Sequence, residues 1–315
     1  MELELWDLYD PHVYIKIKNP LREKFFRYLL KILGGYKKLS NKVGITFGHI
    51  YDLKKGHYFT SLKIINKLLN ICPKNKKSEF KNKIGNNIEE IKVRSRSASI
   101  KNPKFPINFS TILARIAGHL VGDGGINNSL IVHYTNTNYY LLNQFKKDIL
   151  QVFGNIKYGK YSHSGKKHVK TIWFPRVIGL LLNKMFGKQV KGSKHIPKII
   201  FKSDNKYKTI FLRALFDDEG SVHVEPYTIS LMMVGKNFIK NIKKLLKELG
   251  INTSRISPIK RNSMDYYIDT KYQTKTKYLF YISGKDNLRQ FSKLVNFNHP
   301  KKKEKLTILL QKYQH

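Results

Sequence analysis

The sequence predicts an α+β protein built from two copies of one repeat and preceded by a small all-α domain. An apolar helical pattern that ends in an acid occurs twice, at Asp123-Gly124 and at Glu219-Gly220. Each copy continues with two strand patterns, an amphipathic helix, two further strand patterns and a last helix. A helix-rich segment with a glycine turn precedes both copies. The long period excludes a solenoid and favours a pseudo-twofold domain.

Composition indicates a polyanionic partner. The chain has 315 residues with 60 Lys and Arg against 21 Asp and Glu, a net charge of +39. The excess is spread along the chain, which favours the phosphate backbone of a nucleic acid over a basic tail on a neutral enzyme. The single Cys72 excludes a disulfide framework and a cysteine zinc cluster. With an acidic start and no long apolar run, we expect no membrane partner and an intracellular, cytoplasmic protein, nucleoid-associated if prokaryotic.

Four intervals follow from these patterns. Residues 1–72 are predicted to form a helix-turn-helix DNA-binding domain. Residues 73–108, with Pro73, Pro103 and Pro106, are predicted to be a basic linker. Residues 109–203 hold the first repeat and residues 204–315 the second.

The N-terminal interval has the layout of a helix-turn-helix. Small Ser40 permits close helix packing, Gly44 makes the turn and Ile50 anchors the second helix. The segment resembles Cro/repressor-type DNA-binding domains, in which the second helix enters the major groove. An ordinary helical bundle is the alternative. The exposed face of that helix would offer Thr46, Phe47, His49, Tyr51 and Lys54.

The two acid-ended helices carry the predicted chemistry. In the first, Ala114, Gly118 and Gly122 form a small-residue stripe beside the apolar one, which would let the second helix approach closely. That packing would bring Asp123 and Glu219 together. Two close carboxylates repel unless a proton or a cation lies between them, and Mg²⁺ favours oxygen ligands shared with phosphates. The pattern therefore indicates metal-assisted phosphodiester hydrolysis, against the alternative that both acids merely end their helices.

Two segments resemble the motifs of the LAGLIDADG homing endonucleases: Ile116-Ala-Gly-His-Leu-Val-Gly-Asp-Gly-Gly and Leu212-Arg-Ala-Leu-Phe-Asp-Asp-Glu-Gly-Ser. The resemblance covers residues 109–315 and implies a monomer of two pseudo-symmetric αββαββα repeats. Two saddle-shaped sheets would lie in the DNA major groove. Such enzymes cut both strands of a long site and leave 3′ overhangs, as in intron homing. Asp123 and Glu219 would then be the ligands of Mg²⁺ or Mn²⁺, although Val121 and His119 depart from the motif.

The resemblance also implies one catalytic basic residue in each half, for which Lys194 and Lys301 are the candidates. A phosphate contact or a solvated surface charge is the alternative for each of them. Strand alternation and one flanking loop suggest further DNA contacts at Lys157, Lys170, Arg255, Lys260, Arg261, Lys275 and Lys277.

Two other functions stay open. Relatives with this fold and a helix-turn-helix include non-cleaving DNA-binding regulators, but those lack the metal acids. An intron maturase would bind intron RNA instead of double-stranded DNA. An intein is disfavoured, since the ends Met-Glu-Leu and Tyr-Gln-His lack splice-junction chemistry.

Overall fold

The chain forms three antiparallel four-stranded sheets and one two-stranded sheet among the residues that the structure describes. The structure is a computed structural model and describes residues 2–8, 12–94, 96–163, 166–189, 194–259 and 276–312. Lys260, Arg261 and Lys275 lie outside the described residues.

The N-terminal third mixes helices with strands. Its elements are β1 (Glu2–Leu3), β2 (Val13–Ile17), α1 (Leu21–Leu33), α2 (Tyr36–Val43), α3 (Phe47–Lys55), β3 (Thr60–Ser61), α4 (Leu62–Leu69), α5 (Lys74–Asn86), β4 (Ile88–Val93), β5 (Ile100–Lys101) and β6 (Ile107–Asn108). One sheet has the order β3-β2-β4-β5, and β1 pairs with β6.

This arrangement differs from the expected all-α domain and linker. The interval 73–108 contains α5 and β4, and β4 pairs along β2. The reason is that these segments bury apolar side chains in the same core. Ile88, Ile91 and Val93 of β4 are buried together with the apolar residues of β2. The rings of Phe80 in α5 and Phe25 in α1 are tilted against each other, with their centroids 4.9 Å apart. The interval is therefore part of the N-terminal core, and an Ile100–Ile156 bridge joins its end to the first repeat.

The predicted helix-turn-helix pair is present as α2 and α3. Gly44 ends α2 in the left-handed region with φ +76°, which glycine adopts without strain. Thr46 is the N-cap of α3, and its side chain accepts a hydrogen bond from the backbone N–H of His49. Val43, Ile50 and Leu53 are buried in the core below these helices.

The two repeats follow the same element order and strand order. The first has α6 (Thr111–Val121), β7 (Gly124–Ile126), β8 (Val132–Asn136), α7 (Tyr139–Phe153), β9 (Gly159–His163), β10 (Lys166–Phe174) and α8 (Arg176–Phe186), followed by the short α9 (Lys198–Lys202). The second has α10 (Asn205–Glu219), β11 (Gly220–His223), β12 (Thr228–Val234), α11 (Lys236–Glu248), β13 (Ser257–Ile259), β14 (Lys277–Ile282) and α12 (Lys285–Leu294), followed by α13 (Pro300–Lys312). The sheets run β7-β8-β10-β9 and β11-β12-β14-β13, which confirms the predicted αββαββα repeat.

Helices α6 and α10 pack against each other at the centre of the repeats. A Cβ atom at Gly118 would lie 2.5 Å from the backbone oxygen of Phe211 and 2.7 Å from the Ala214 Cβ. At Gly122 it would lie 2.7 Å from the Asp218 Cβ. The glycines therefore allow near-backbone contact, which places the carboxyl-terminal ends of both helices side by side.

We expect Gly118→Ala to destabilise the protein by about 1–3 kcal/mol, because the added methyl group would overpack this contact. Chemical denaturation followed by circular dichroism measures the change. Gly48 in α3 is the matched control, since a Cβ there meets nothing within 4 Å. Gly48→Ala should stabilise the protein by up to about 1 kcal/mol. Equal effects at the two positions would contradict the close packing.

Candidate active site and nucleic-acid interface

Asp123 and Glu219 occupy equivalent places at the ends of the two packed helices. Asp123 follows the C-cap Gly122 of α6, and Glu219 is the last residue of α10. The side-chain amide of Asn136, at the end of β8, donates a 2.8 Å hydrogen bond to Oδ2 of Asp123. The helix contact therefore gathers one acid from each repeat, as the small-residue stripe predicts.

Burial and repulsion between like charges act on both acids. The pKa of Asp123 is raised to about 7, first by burial and then by the neighbouring Asp218 and Glu219 carboxylates, while Lys194 and Lys302 act in the opposite direction. The pKa of Glu219 is also raised, first by burial and then by Asp218. The two side chains thus form a partly desolvated acidic centre in which an added cation would be favourable.

Two lysines place their ammonium groups on the carbonyls at these helix ends. Lys194 donates a hydrogen bond to the backbone oxygen of Gly122. Lys302 donates to the backbone oxygens of Phe216 and Asp218, at 3.1 and 3.2 Å. A cation is favourable there because the last carbonyls of a helix lack intrahelical partners and carry the negative end of the dipole.

The structure places Lys194 at the end of α6, and at the end of α10 it places Lys302 where the sequence suggested Lys301. Lys301 is exposed, whereas Lys302 is half-buried against the end of α10. Burial lowers the pKa of Lys302, although Asp218, Asp217 and Asp123 act in the opposite direction. Successive residues of a helix point in different directions, so the single step along α13 decides which lysine reaches the site.

Asp218 joins the two repeats through a buried network. Its Oδ2 lies 3.0 Å from Nδ1 of His119 and accepts a 3.2 Å hydrogen bond from the backbone N–H of Asp123. Its Oδ1 accepts a 2.7 Å hydrogen bond from the Tyr134 hydroxyl. The side chains of His119 and Asp218 are fully buried. Burial alone would lower the pKa of His119, but the Asp218 carboxylate and two more distant acids raise it.

Sequence reasoning missed Asp218 and treated His119 only as a departure from the motif. A signal was present, since Asp217, Asp218 and Glu219 are three consecutive acids in an acid-poor chain. His119 lies beside the glycine stripe one turn before Asp123. A buried histidine facing consecutive acids across a glycine-lined contact predicts a hydrogen-bonded pair.

Two further acids are structural. Arg115 holds Asp148 with paired hydrogen bonds of 2.6 and 2.7 Å. Asp217 accepts backbone N–H hydrogen bonds from Asn298 and His299, both 2.8 Å, and so fixes the entry to α13. Neither acid takes part in the centre between Asp123 and Glu219.

The candidate DNA contacts of the sheets fall on different surfaces. Lys277 lies on the open face of the second sheet, opposite Val234. Lys157 and Arg255 are exposed in the segments before β9 and β13. Lys170 points to the opposite side from the prediction: it shares a face with the buried Ile172, and its Nζ lies 5.7 Å from the ring of Tyr139 in α7. Side chains alternate along β10 as expected, but the residues that face the open side are the neighbours of Lys170 and not Lys170 itself.

The α3 residues form an exposed aromatic surface. Phe47 and Tyr51 are exposed, and both rings contact Tyr36 of α2. His49 stacks on Tyr58, and Nζ of Lys54 lies 3.1 Å from the Tyr36 hydroxyl. Thr46 caps the helix, which gives it a structural role as well.

Two negative findings apply to the described residues. In the ranges that the structure describes, no group of three or more His, Cys, Asp or Glu side chains could by itself hold a metal ion. None of the described helices is long and apolar enough to cross a membrane.

Comparison with known proteins agrees with the motif interpretation. Residues 206–296 match the family model of the LAGLIDADG-like domain. The matched residues lie in the second repeat, which therefore contains a LAGLIDADG-like domain.

Among curated proteins, the chain is 27% identical over 308 residues to the glutamine–fructose-6-phosphate aminotransferase (isomerizing) of Methanocaldococcus jannaschii. The alignment covers 95% of this chain and 26% of that protein, so the chain spans about a quarter of this relative.

Two solved structures are similar at low identity. The homing endonuclease I-DmoI in complex with DNA and Mn is 15% identical with a TM-score of 0.40, covering 60% of this chain and 97% of that one. Full-length DUF199/WhiA from Thermatoga maritima is 12% identical with a TM-score of 0.44, covering 66% of this chain and 63% of that one.

We expect Asp218→Ala to destabilise the protein by about 3–5 kcal/mol, because it leaves His119 and Tyr134 buried without their carboxylate partner. Urea denaturation at neutral pH measures the loss. Glu304 is exposed on α13, and Glu304→Ala should change stability by less than about 0.5 kcal/mol. A small effect at Asp218 would show that the network contributes little.

Asp123→Asn should stabilise the metal-free protein more at pH 8 than at pH 5. The folded-state pKa of Asp123 is raised from 3.8 to about 7, so the folded state holds this proton more tightly than the unfolded state. Wild-type stability therefore falls as pH rises through this window, and asparagine removes that cost. Thermal unfolding in EDTA at both pH values tests this. An equal effect at the two pH values would show that the carboxyl is not desolvated.

Proposed function

We propose that the chain is a site-specific homing endonuclease that makes metal-dependent double-strand cuts in a long DNA target and leaves 3′ overhangs. The observation that carries this proposal is the pair of carboxylates, Asp123 and Glu219, at the packed ends of α6 and α10. Their raised pKa values favour a cation at the same place. A purely structural role would not require two repelling acids at the negative ends of two helices.

The donor set fits a hard divalent cation such as Mg²⁺ or Mn²⁺. Mg²⁺ is commonly bound by one or two carboxylates, with water and substrate phosphates completing the set. The two acids match that number, and a third protein ligand is not needed. When bound, such an ion would activate water and stabilise the leaving oxygen of the phosphodiester.

The chain's own residues would position the reacting groups. Asn136 holds Oδ2 of Asp123 by its 2.8 Å hydrogen bond, and Asp218 holds the backbone N–H of the same residue. Lys194 and Lys302 supply positive charge beside both acids, where the charge of a scissile phosphate would develop. Lys302 is the proposed basic residue of the second half.

The proposed partner is double-stranded DNA, bound by one chain acting as a pseudo-dimer. The net charge of +39 supplies the affinity for phosphates. The exposed face of α3 would add a contact beyond the two sheets. Among the alternatives, the presence of both acids disfavours a non-cleaving regulator. An RNA-binding maturase is distinguished from an endonuclease by comparing binding to structured RNA and to duplex DNA, as described below.

We expect Asp123→Asn and Glu219→Gln each to reduce double-strand cleavage at least about 100-fold, since each removes a charged metal ligand worth several kcal/mol in the transition state. Cleavage of a randomised duplex library, with Mg²⁺ and with EDTA, identifies the target and measures the rate. Binding to the selected site in EDTA should be retained by both variants.

Asp286 is the matched control, because it is an exposed acid on α12 remote from the motif ends. Asp286→Asn should leave cleavage unchanged. Specific binding without cutting in any divalent metal would identify a regulator. Tighter binding to structured RNA than to duplex DNA at equal salt would identify a maturase.

A further inference from the structure

The open face of the second sheet is apolar where the proposed function requires base contacts. Along β12, Ile229 and Leu231 are buried against the helices, so the alternate residues Met232 and Val234 face away from the core. They are 37% and 47% exposed. An exposed apolar stripe of this kind on a sheet marks an interaction surface.

The neighbouring strand extends this stripe. Met232 pairs with Leu279 of β14, and Ser230 pairs with Tyr281, which is 38% exposed. Directly paired residues of an antiparallel sheet lie on the same face. We call the surface formed by Met232, Val234, Leu279 and Tyr281 the aliphatic face.

Charge identifies the class of occupant. Met232 and Val234 line a cavity of ≈ 610 Å³ together with Glu219. Lys194, Lys236 and Lys277 line the same cavity. An apolar peptide would offer no counter-charge for these three lysines. Duplex DNA fits both the lysines and the apolar side chains of this cavity, because its phosphates can contact the lysines while its base edges contact the apolar groups.

The chemistry of the base edges then selects thymine. In the major groove guanine offers two acceptors and calls for a bidentate donor, whereas thymine presents a 5-methyl group. Among the paired positions of β12 and β14 on this side of the sheet, Lys277 is the one charged donor. Resting on the proposed function, we infer that the aliphatic face reads thymine methyl groups, so that the half-site under the second repeat is rich in A·T pairs next to the cleaved bonds.

The first sheet presents a different surface. Its open face carries Thr135, whose hydroxyl lies 2.7 Å from that of the fully buried Thr171, and the exposed Trp173. The Thr135 hydroxyl can both donate and accept a hydrogen bond, so it suits a broader set of bases. The two halves of the target therefore differ in kind, and thymine dependence is confined to the second.

The test uses the full chain and duplex DNA in EDTA, where binding is measured without cleavage. Selection from a randomised library should yield A·T pairs in the half-site protected by the second repeat. Replacing each thymine there by deoxyuridine removes only the methyl group and should weaken binding about fourfold per methyl group. The same replacement in the other half-site should have little effect.

Variants assign the effect to the aliphatic face. The double variant Met232→Ala, Val234→Ala should bind thymine and deoxyuridine sites equally. Ile308, exposed on α13, is the control: Ile308→Ala should keep the wild-type preference. Thermal unfolding of each variant confirms that it is folded, as expected for exposed side chains.

The outcomes separate this inference from the proposed function. Thymine-dependent binding without cutting in any divalent metal would refute the endonuclease and leave the thymine contact supported. A G·C-rich second half-site, or binding indifferent to deoxyuridine, would overturn the inference even if cleavage is observed. A lack of sequence-specific duplex binding would overturn both.

Discussion

The close approach of α6 and α10 is the constraint on which the rest of the structure depends. Gly118 and Gly122 bring the helix backbones to a distance at which a single methyl group does not fit. Because each helix ends in an acid and passes directly into a strand, this one contact sets the position of both carboxylates and of both sheets. The glycines weaken the helix locally, and the pairing of two repeats offsets that cost.

Bringing acids together at two helix ends is unfavourable, and the surrounding residues compensate in identifiable ways. Lys194 and Lys302 bind the terminal carbonyls, which places positive charge beside Asp123 and Glu219. Asp218 of the second repeat receives hydrogen bonds from Asp123 and Tyr134 of the first. Asp218, with both oxygens hydrogen-bonded, stabilises the contact between the repeats, whereas Asp123 and Glu219, whose pKa values are raised, are available for a cation.

Charge and specificity are separated in space. The net charge of +39 favours any polyanion, but phosphate contacts carry no sequence information. The open face of the second sheet carries an apolar stripe beside Lys277, and the lysine expected on the first sheet lies against α7. The aromatic surface of α3 adds a third region of possible contact. In the proposed complex with DNA, affinity would come from the basic cavity and its margins, and discrimination from uncharged side chains between them.

Local sequence patterns determined the repeat, the acid-ended helices, the glycine turn between α2 and α3, and the two acids of the candidate site. Each depends on periodicity or on a capping residue within a few positions, so it can be read without knowledge of distant neighbours. The tertiary structure decided the pairing of β2 with β4, the use of Lys302, the side on which Lys170 lies, and the partnership of Asp218 with His119. These depend on contacts between segments far apart in the chain. On a helix, a difference of one residue changes the direction of the side chain, and on a strand it moves the side chain to the opposite face of the sheet. Such a difference therefore decides which side chain reaches the site.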